Sequence, residues 1–323
     1  MKYNTIAGVD KPVSRLVQGT VYFSDQRPDE ALNFFDGVFE HGCNTFDTAH
    51  GYFHGESEKA LGLWIQERNN RDEIVILDKG AHPYDGRNRV TPADITSDIH
   101  ESLERLGVDF IDIYILHRDD ETVPVQPIMD CLYEHHQLGH IGVIGGSNWS
   151  HQRLQEANNY ATKNNLLPFT TSSPQFSLAE MVKPAWDGCI SVGHDEDAQA
   201  WYREQDMSLF TWSSLAGGFM TGKFTPDNLD TFEDYFEKVT VDAYAYEDNF
   251  TRLDRATYLA KEKDVSVPQL ALAYVLNQPL NIFAIIGAMT EAQFAENALA
   301  LEIDLSQQEI DWLNLKTNEL ASS

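Results

Sequence analysis

The sequence predicts a (β/α)8 barrel, and three observations carry that reading. The 323 residues suit one barrel of about 250 residues with insertions. Short β-branched apolar runs alternate with amphipathic helical patterns, the order a parallel α/β fold demands. Polar residues (Asp47, Lys79 and His117) close three successive apolar runs, with Tyr52 in the loop after the first. Chemistry in such barrels lies at the C-terminal ends of the strands. No linker or charge block divides the chain, so one domain over 1–323 is expected.

The elements follow in order. Tyr3 to Thr20 holds two short apolar pieces and a turn, read as an N-terminal β-hairpin and then a first barrel strand near Leu16 to Gly19. Asp29 to Glu40 carries Leu32, Phe35, Val38 and Phe39 on one helical face. The second strand ends at Asp47, and a helix starting at Gly55-Glu56 buries Leu61, Trp64 and Ile65. The third strand, Ile74 onward, ends at Lys79. Thr91 is an N-cap with Pro92 at the first helical position, and Gly107 stops that helix. The fourth strand ends at His117, and a helix from about Gln126 to Leu138 ends at Gly139. Ile141 to Ile144 is the fifth strand, Ser150 to about Asn164 its helix, and Phe169 to Ser173 the sixth strand. Ser208 to Ser213 and Ile282 to Ile286 are the seventh and eighth, with extra helices at the C-terminus. Eight such units favour a closed barrel over a doubly wound sheet.

Composition narrows the function. A net charge of −28 argues against nucleic acid and anionic membranes as partners, because both require clustered Lys and Arg. No apolar run approaches the roughly 20 residues that span a bilayer. Met1 to Thr5 lacks the apolar stretch of a secretory signal. The three cysteines, Cys43, Cys131 and Cys189, show no CxxC spacing and suggest neither a disulfide framework nor a zinc ribbon. A cytoplasmic protein is the simplest expectation, and no terminal coiled-coil pattern sets an oligomeric state.

The strand-end residues make a proton-donating set. A free phenol, with pKa near 10, is a poor acid at neutral pH. An ammonium at Lys79 would lower the Tyr52 pKa, Asp47 would hold that ammonium, and His117 would either bind a substrate oxygen or tune Tyr52. Together they would polarise a carbonyl and protonate its oxygen as hydride reaches carbon.

Longer motifs make the reading specific. Gly42 to Tyr52 with Gly55-Glu56-Ser57-Glu58, Asp112 to Arg118, Ile144 to Trp149, Phe210 to Leu215 with Gly217-Gly218 and Thr221-Gly222-Lys223, and Ile285-Ile286-Gly287 with Gln293 and Glu296-Asn297 resemble, in order, segments of the aldo-keto reductase family. The resemblance implies a barrel that binds NADP(H) or NAD(H) without a Rossmann domain. It implies Asp47, Tyr52, Lys79 and His117 as the catalytic tetrad, with Tyr52 the proton donor. Ser147 and Asn148 would hold the nicotinamide carboxamide, and Trp212 would stack on the ring. Ser213, Leu215, Gly217 and Lys223 would lie along the pyrophosphate. Gln293 and Asn297 would reach the adenosine, with Gly19, Thr20, Gly287 and Thr290 also at the cofactor.

Two departures from the family pattern matter. Ser173 stands where the family has a carboxamide-binding glutamine, so either Ser173 serves or Gln175 substitutes. No Lys or Arg lies between Lys263 and Lys316, where the family places a cation for the 2′-phosphate of NADP. A phosphate without a cation loses its charge-assisted hydrogen bonds, so NAD use is expected. Tyr22, His50, His82, Arg118 and Trp149 are candidate pocket residues and suggest a small, polar carbonyl substrate such as a sugar or keto-sugar. Met181 to Asp206 is expected to form a loop over cofactor or substrate.

Two other readings compete with a carbonyl reductase. One is a cofactor-binding regulatory subunit resembling potassium-channel β-subunits. The other is a metal-dependent barrel enzyme built on Asp47, His50 and His117. No metal site is expected, since neither those residues nor His194 with its acidic neighbours has a ligand spacing.

Overall fold

The computed structural model describes residues 1–320. A two-stranded antiparallel hairpin, β1 (Tyr3–Asn4) and β2 (Val13–Ser14), precedes the barrel. The chain continues through β3 (Leu16–Gly19), α1 (Pro28–Glu40), β4 (Thr45–Asp47), α2 (Glu56–Arg68), β5 (Val75–Gly80), α3 (Pro92–Leu106) and β6 (Ile111–Leu116). Next come α4 (Val125–Gln137), β7 (Ile141–Ser147), α5 (His151–Asn164), β8 (Thr171–Ser173), α6 (Glu196–Glu204) and β9 (Ser208–Thr211). Three helices, α7 (Tyr235–Tyr244), α8 (Glu247–Glu262) and α9 (Val267–Leu276), lead to β10 (Asn281–Ile286). Helices α10 (Glu291–Ala298) and α11 (Gln307–Leu313) follow. Strands β3 to β10 form a closed parallel barrel in which β10 pairs with β3.

Local chemistry sets several boundaries. The Thr91 hydroxyl accepts from Asp94 N–H, Pro92 opens α3, and Gly107 closes it at φ +65°. That start and stop match the sequence expectation. Ser266 and Gln269 form a capping box on α9. Gly80 has a packing reason, because a Cβ there would lie 1.9 Å from the Tyr114 hydroxyl.

Two apolar clusters divide the core. Val17, Val75, Leu77, Ile113, Ile115, Val143, Phe210, Phe283 and Ile285 fill the barrel interior, and hairpin residues Ile6 and Val13 join them from below. Phe46, Ile74, Ile76, Ile144 and Leu209 pack outward against the helices. Side chains alternate along a strand, so the interior set can be counted upward by twos. Val75 and Leu77 lead to Lys79; Ile113 and Ile115 lead to His117; Phe210 leads to Trp212. The same count from Val143 reaches Ser147, and from Phe283 and Ile285 it reaches Gly287.

The intervening Asp78 falls on the outer layer. It is fully buried beside Glu58 of α2, and burial followed by the Glu58 charge raises its carboxyl to about 8. Its Oδ1 accepts from Lys79 N–H at 2.8 Å, while Asp78 Oδ2 and Glu58 Oε1 both lack partners. The folded chain thus holds a proton that the unfolded chain releases near pH 4, and stability falls as pH climbs from about 4 to 8. Asp78→Asn keeps the Oδ1 acceptor and gives Glu58 a donor. We expect it to stabilise the protein by more than about 1 kcal/mol at pH 8, since one pKa unit is ~1.4 kcal/mol. The gain should shrink at pH 5. Thermal unfolding of both proteins at the two pH values checks this.

Among the described residues, no helix is long and apolar enough to cross a membrane.

Candidate active site

Three of the four expected catalytic residues are adjacent strand ends. The register pairs Asp47 with Leu77 and Lys79 with Ile115, and His117 N–H donates to Gly80 O at 2.8 Å. Tyr52 enters from a short 3-10 turn after β4, where Phe53 and His54 take φ of 45° and 54°. The barrel frame thus supplies three groups and a strained turn supplies the fourth.

Lys79 is the hub. Its side chain is 3% exposed. Its Nζ lies 2.5 Å from Asp47 Oδ1 and donates to Thr48 O at 2.8 Å and to the Tyr52 hydroxyl at 3.4 Å. Burial pushes an ammonium down, but the Asp47 carboxylate and the Tyr52 phenol outweigh it, and Lys79 is held above its ordinary value. Burial also raises Asp47 even against the Lys79 charge, so its ionised form depends on that charge. The Thr48 carbonyl is a backbone group and left no trace in residue types.

Tyr52 departs from expectation. Its phenol is raised, not lowered, because burial exceeds the pull of Lys79 and Asp47 opposes that pull. The hydroxyl is therefore protonated at neutral pH, the form an acid needs. His117 is buried and held well below the usual histidine range, first by burial and then by Lys79, Arg118 and His82. It is a neutral imidazole 5.7 Å from the Tyr52 ring, centroid to centroid. The site therefore offers the buried Lys79 cation, a neutral phenol and a neutral imidazole side by side, with Arg118 behind the imidazole.

The barrel mouth also carries polar atoms with no protein partner. They include Ser173 Oγ, Thr20 Oγ1 and Trp212 Nε1. Buried polar groups are normally satisfied, so the three fit a polar ligand at this end. Gln175, by contrast, is engaged: its amide donates to Ser177 Oγ at 2.7 Å and its carbonyl accepts from Ser191 Oγ at 2.5 Å. Of the two candidates for a carboxamide partner, Ser173 is the unoccupied one. Ser147 donates to Ser173 O at 2.7 Å, and Asn148 donates to Ser147 Oγ and to His117 O.

Ser213 (φ +51°), Gly217 and Gly218 bend the chain after β9. A Cβ on Gly217 would sit 2.6 Å from Thr240 Oγ1 of α7, so only glycine allows that approach. Leu215 lies in the same turn. Lys223, expected at the pyrophosphate, forms an exposed ion pair with Glu237 of α7. Thr290 caps α10 by accepting from Gln293 N–H, and Gln293 Oε1 accepts from Met289 N–H. Gly19 ends β3 and Gly287 follows β10, while Asn297 is on α10.

The five pocket candidates divide. His82 is 4.7 Å from the His117 ring, and Arg118 donates to His117 O at 2.8 Å. Tyr22 borders Gly287 and is 40% exposed. His50 and Trp149 do not face the mouth. The His50 ring turns outward to Glu101 of α3 at 3.0 Å. Trp149 is fully buried in the outer layer, edge-on to Phe169 and against Gly146, and it donates to Arg118 O. Both follow strand ends in sequence, but the chain there has already turned away from the barrel axis.

The segment Met181 to Asp206 is part loop and part α6. Trp186 of its loop lies 6.1 Å from Trp212 and donates to the Tyr235 hydroxyl, a partner with no signature in the sequence. His194 is tied to Leu178 O at 3.1 Å.

Comparison with known proteins shows the family. Residues 15–316 match the model of the Aldo/keto reductase family, and the chain belongs to that family. It is similar to the uncharacterized oxidoreductase YrpG of Bacillus subtilis, 27% identical over 97% of this chain and 95% of the relative. A probable voltage-gated potassium channel subunit beta of Oryza sativa is 27% identical over 94% and 92% of the two chains. The versiconal hemiacetal acetate reductase of Aspergillus parasiticus is 25% identical over 97% and 96%. The family generally uses NAD(P)H, and the relatives named for redox activity support an oxidoreductase here.

Proposed function

We propose that this protein reduces an aldehyde or ketone to an alcohol with NAD(P)H, Tyr52 giving the carbonyl oxygen its proton. The observation that carries the reading is the buried Lys79 ammonium, shared by Asp47, Thr48 O and the Tyr52 hydroxyl. When bound, the nicotinamide supplies the hydride. Ser147, Asn148 and Ser173 would hold its carboxamide and Trp212 its face. Ser213, Leu215, Gly217 and Lys223 would line the pyrophosphate, with Gln293 and Asn297 at the adenosine.

The chain's own groups handle the proton. Neutral His117 orients the carbonyl oxygen toward the Tyr52 hydroxyl. As that proton leaves, the growing phenolate charge is stabilised by Lys79, which Asp47 keeps charged and in place. Arg118 and His82 beside His117 favour a polar, hydroxylated carbonyl such as a sugar or keto-sugar.

Cofactor choice follows from charge. The 2′-phosphate of NADP would meet Thr290, which has one hydroxyl proton to donate, and no cation from the 264–315 segment. We expect NADPH to be preferred over NADH by less than tenfold in kcat/KM; a larger preference would overturn this assignment. Tryptophan quenching titrations with both nucleotides test the whole reading. Quenching by at least one is expected, and quenching by neither sinks it.

The relatives named as potassium-channel β-subunits favour a second reading, a cofactor-binding regulatory subunit. Tight nucleotide binding with no turnover across a panel of aldehydes and keto-sugars would select it.

A further inference from the structure

We infer that a second site, separate from the Tyr52 site, binds a zinc-like divalent metal through His100, His135 and His140. The three come from separate places in the sequence, which is why no ligand spacing was visible. His100 is on the exposed face of α3, His135 lies in the last turn of α4, and His140 precedes β7. Helices run antiparallel to the strands they follow, so the end of α4 and the entry to β7 lie at the barrel's N-terminal rim. His140 O accepts from Ile111 N–H at the start of β6, which fixes it to that rim.

The geometry is close to that of a coordination site. Ligand atoms of all three residues lie within 4.8 Å of one another. His135 Nδ1 and His140 Nδ1 are 3.0 Å apart, and His140 N–H donates to His135 O at 3.0 Å, which locks their spacing. Zinc–nitrogen bonds of 2.0–2.1 Å in a tetrahedron put two ligand nitrogens roughly 3.3 Å apart. The buried pair therefore already has nearly that separation, held by a shared proton that a metal would replace. His100 closes the remaining gap by side-chain rotation, since it is exposed on the helix surface.

An outer partner orients the buried ring. His135 Nε2 lies 3.0 Å from Thr96 Oγ1 on α3. With Nε2–H donated to that hydroxyl, the Nδ1 lone pair faces His140 and His100, as metal-bound histidines usually require. Three protein ligands leave the fourth position of a tetrahedral ion to water. A surface groove lined by Leu103, Glu104, Leu138 and His140 gives an ion access. Three imidazole ligands and no thiolate favour zinc or another borderline metal over calcium or magnesium, which take oxygen ligands. At this end of the barrel the ion would clamp α3 to α4, a stabilising role apart from catalysis.

Isothermal titration of the metal-free full chain with Zn2+ alone is expected to give one site of micromolar or tighter affinity. Tm should rise with the metal. His100→Gln and His140→Gln should each weaken binding about tenfold or more, and Thr96→Val by a similar order through loss of the orienting bond. His100 is exposed, so its variant keeps the test valid if a change at buried His135 unfolds the protein. Co2+ should give visible absorption in the wild type that His100→Gln abolishes. Unchanged affinity and unchanged Co2+ spectra in both histidine variants, or no stoichiometric binding, would overturn the site and leave a hydrogen-bonded histidine cluster.

Discussion

Tyr52→Phe is expected to lower kcat for carbonyl reduction by about 10²–10⁴, the range a positioned general acid contributes. Fold and cofactor binding should survive. The hydroxyl's contact with Lys79 is long, at 3.4 Å, and the ring itself is retained. Tm should stay within about 2 °C, because removing one weak hydrogen bond costs only ~1 kcal/mol. Stopped-flow single-turnover measurements separate the chemical step from nucleotide release. A kcat within tenfold of wild type would show that another group, or water, gives the proton.

The pH profile should carry a signature of the same arrangement. Burial raises the Tyr52 phenol above its usual value despite Lys79, so the acid form persists through the neutral range. Reduction should therefore be flat from pH 6 to about 9 and fall only in strong alkali. The simple expectation of a depressed phenol fails because a cation acts on it together with the nearby Asp47 charge and the loss of water. Residue types alone suggested the cation, but the balance among three opposing effects depends on depth, which a sequence does not display.

What the sequence shows best is whatever has a period. The alternation that places Val75 and Leu77 inside the barrel also places Lys79 there, and the same count from Ile113 and Ile115 reaches His117. Strand ends are thus legible as site positions in the sequence. His50 and Trp149 show the limit of that logic. They lie only a few residues past strand ends, yet the chain has turned and their side chains pack against α3 and the outer layer. Helices α7 to α9 were unassigned, because the long connection between the last two strands lacks one repeating βα unit. The histidine trio was also hidden. His100 is 35 residues from His135, and only the packing of α3 on α4 brings them together. Ser173 against Gln175 was a real ambiguity of two neighbouring polar residues. Hydrogen bonds from Ser191 and to Ser177 occupy one of them and leave the other free.

Lys79→Met should be the most damaging single change, in both activity and stability. It removes the charge that stabilises the departing Tyr52 proton, so kcat should fall at least as far as in Tyr52→Phe. It also leaves Asp47, 3% exposed, with no counter-ion. Breaking a buried ion pair on one side costs about 3–5 kcal/mol, since the remaining charge stays desolvated. Burial already raises the Asp47 carboxyl against the Lys79 charge; without that charge it rises further. A carboxyl whose folded pKa exceeds its unfolded value destabilises the fold as pH rises between the two. The variant should therefore lose more stability at pH 8 than at pH 5, where Asp47 takes up a proton. Adding Asp47→Asn removes the stranded charge. The double variant should regain part of the lost stability, a non-additivity expected of residues in contact, while remaining inactive. Denaturant unfolding of the two single variants and the double variant decides the point. A double variant no more stable than Lys79→Met would mean that Lys79 supports the fold through Thr48 O and its own packing, not through Asp47.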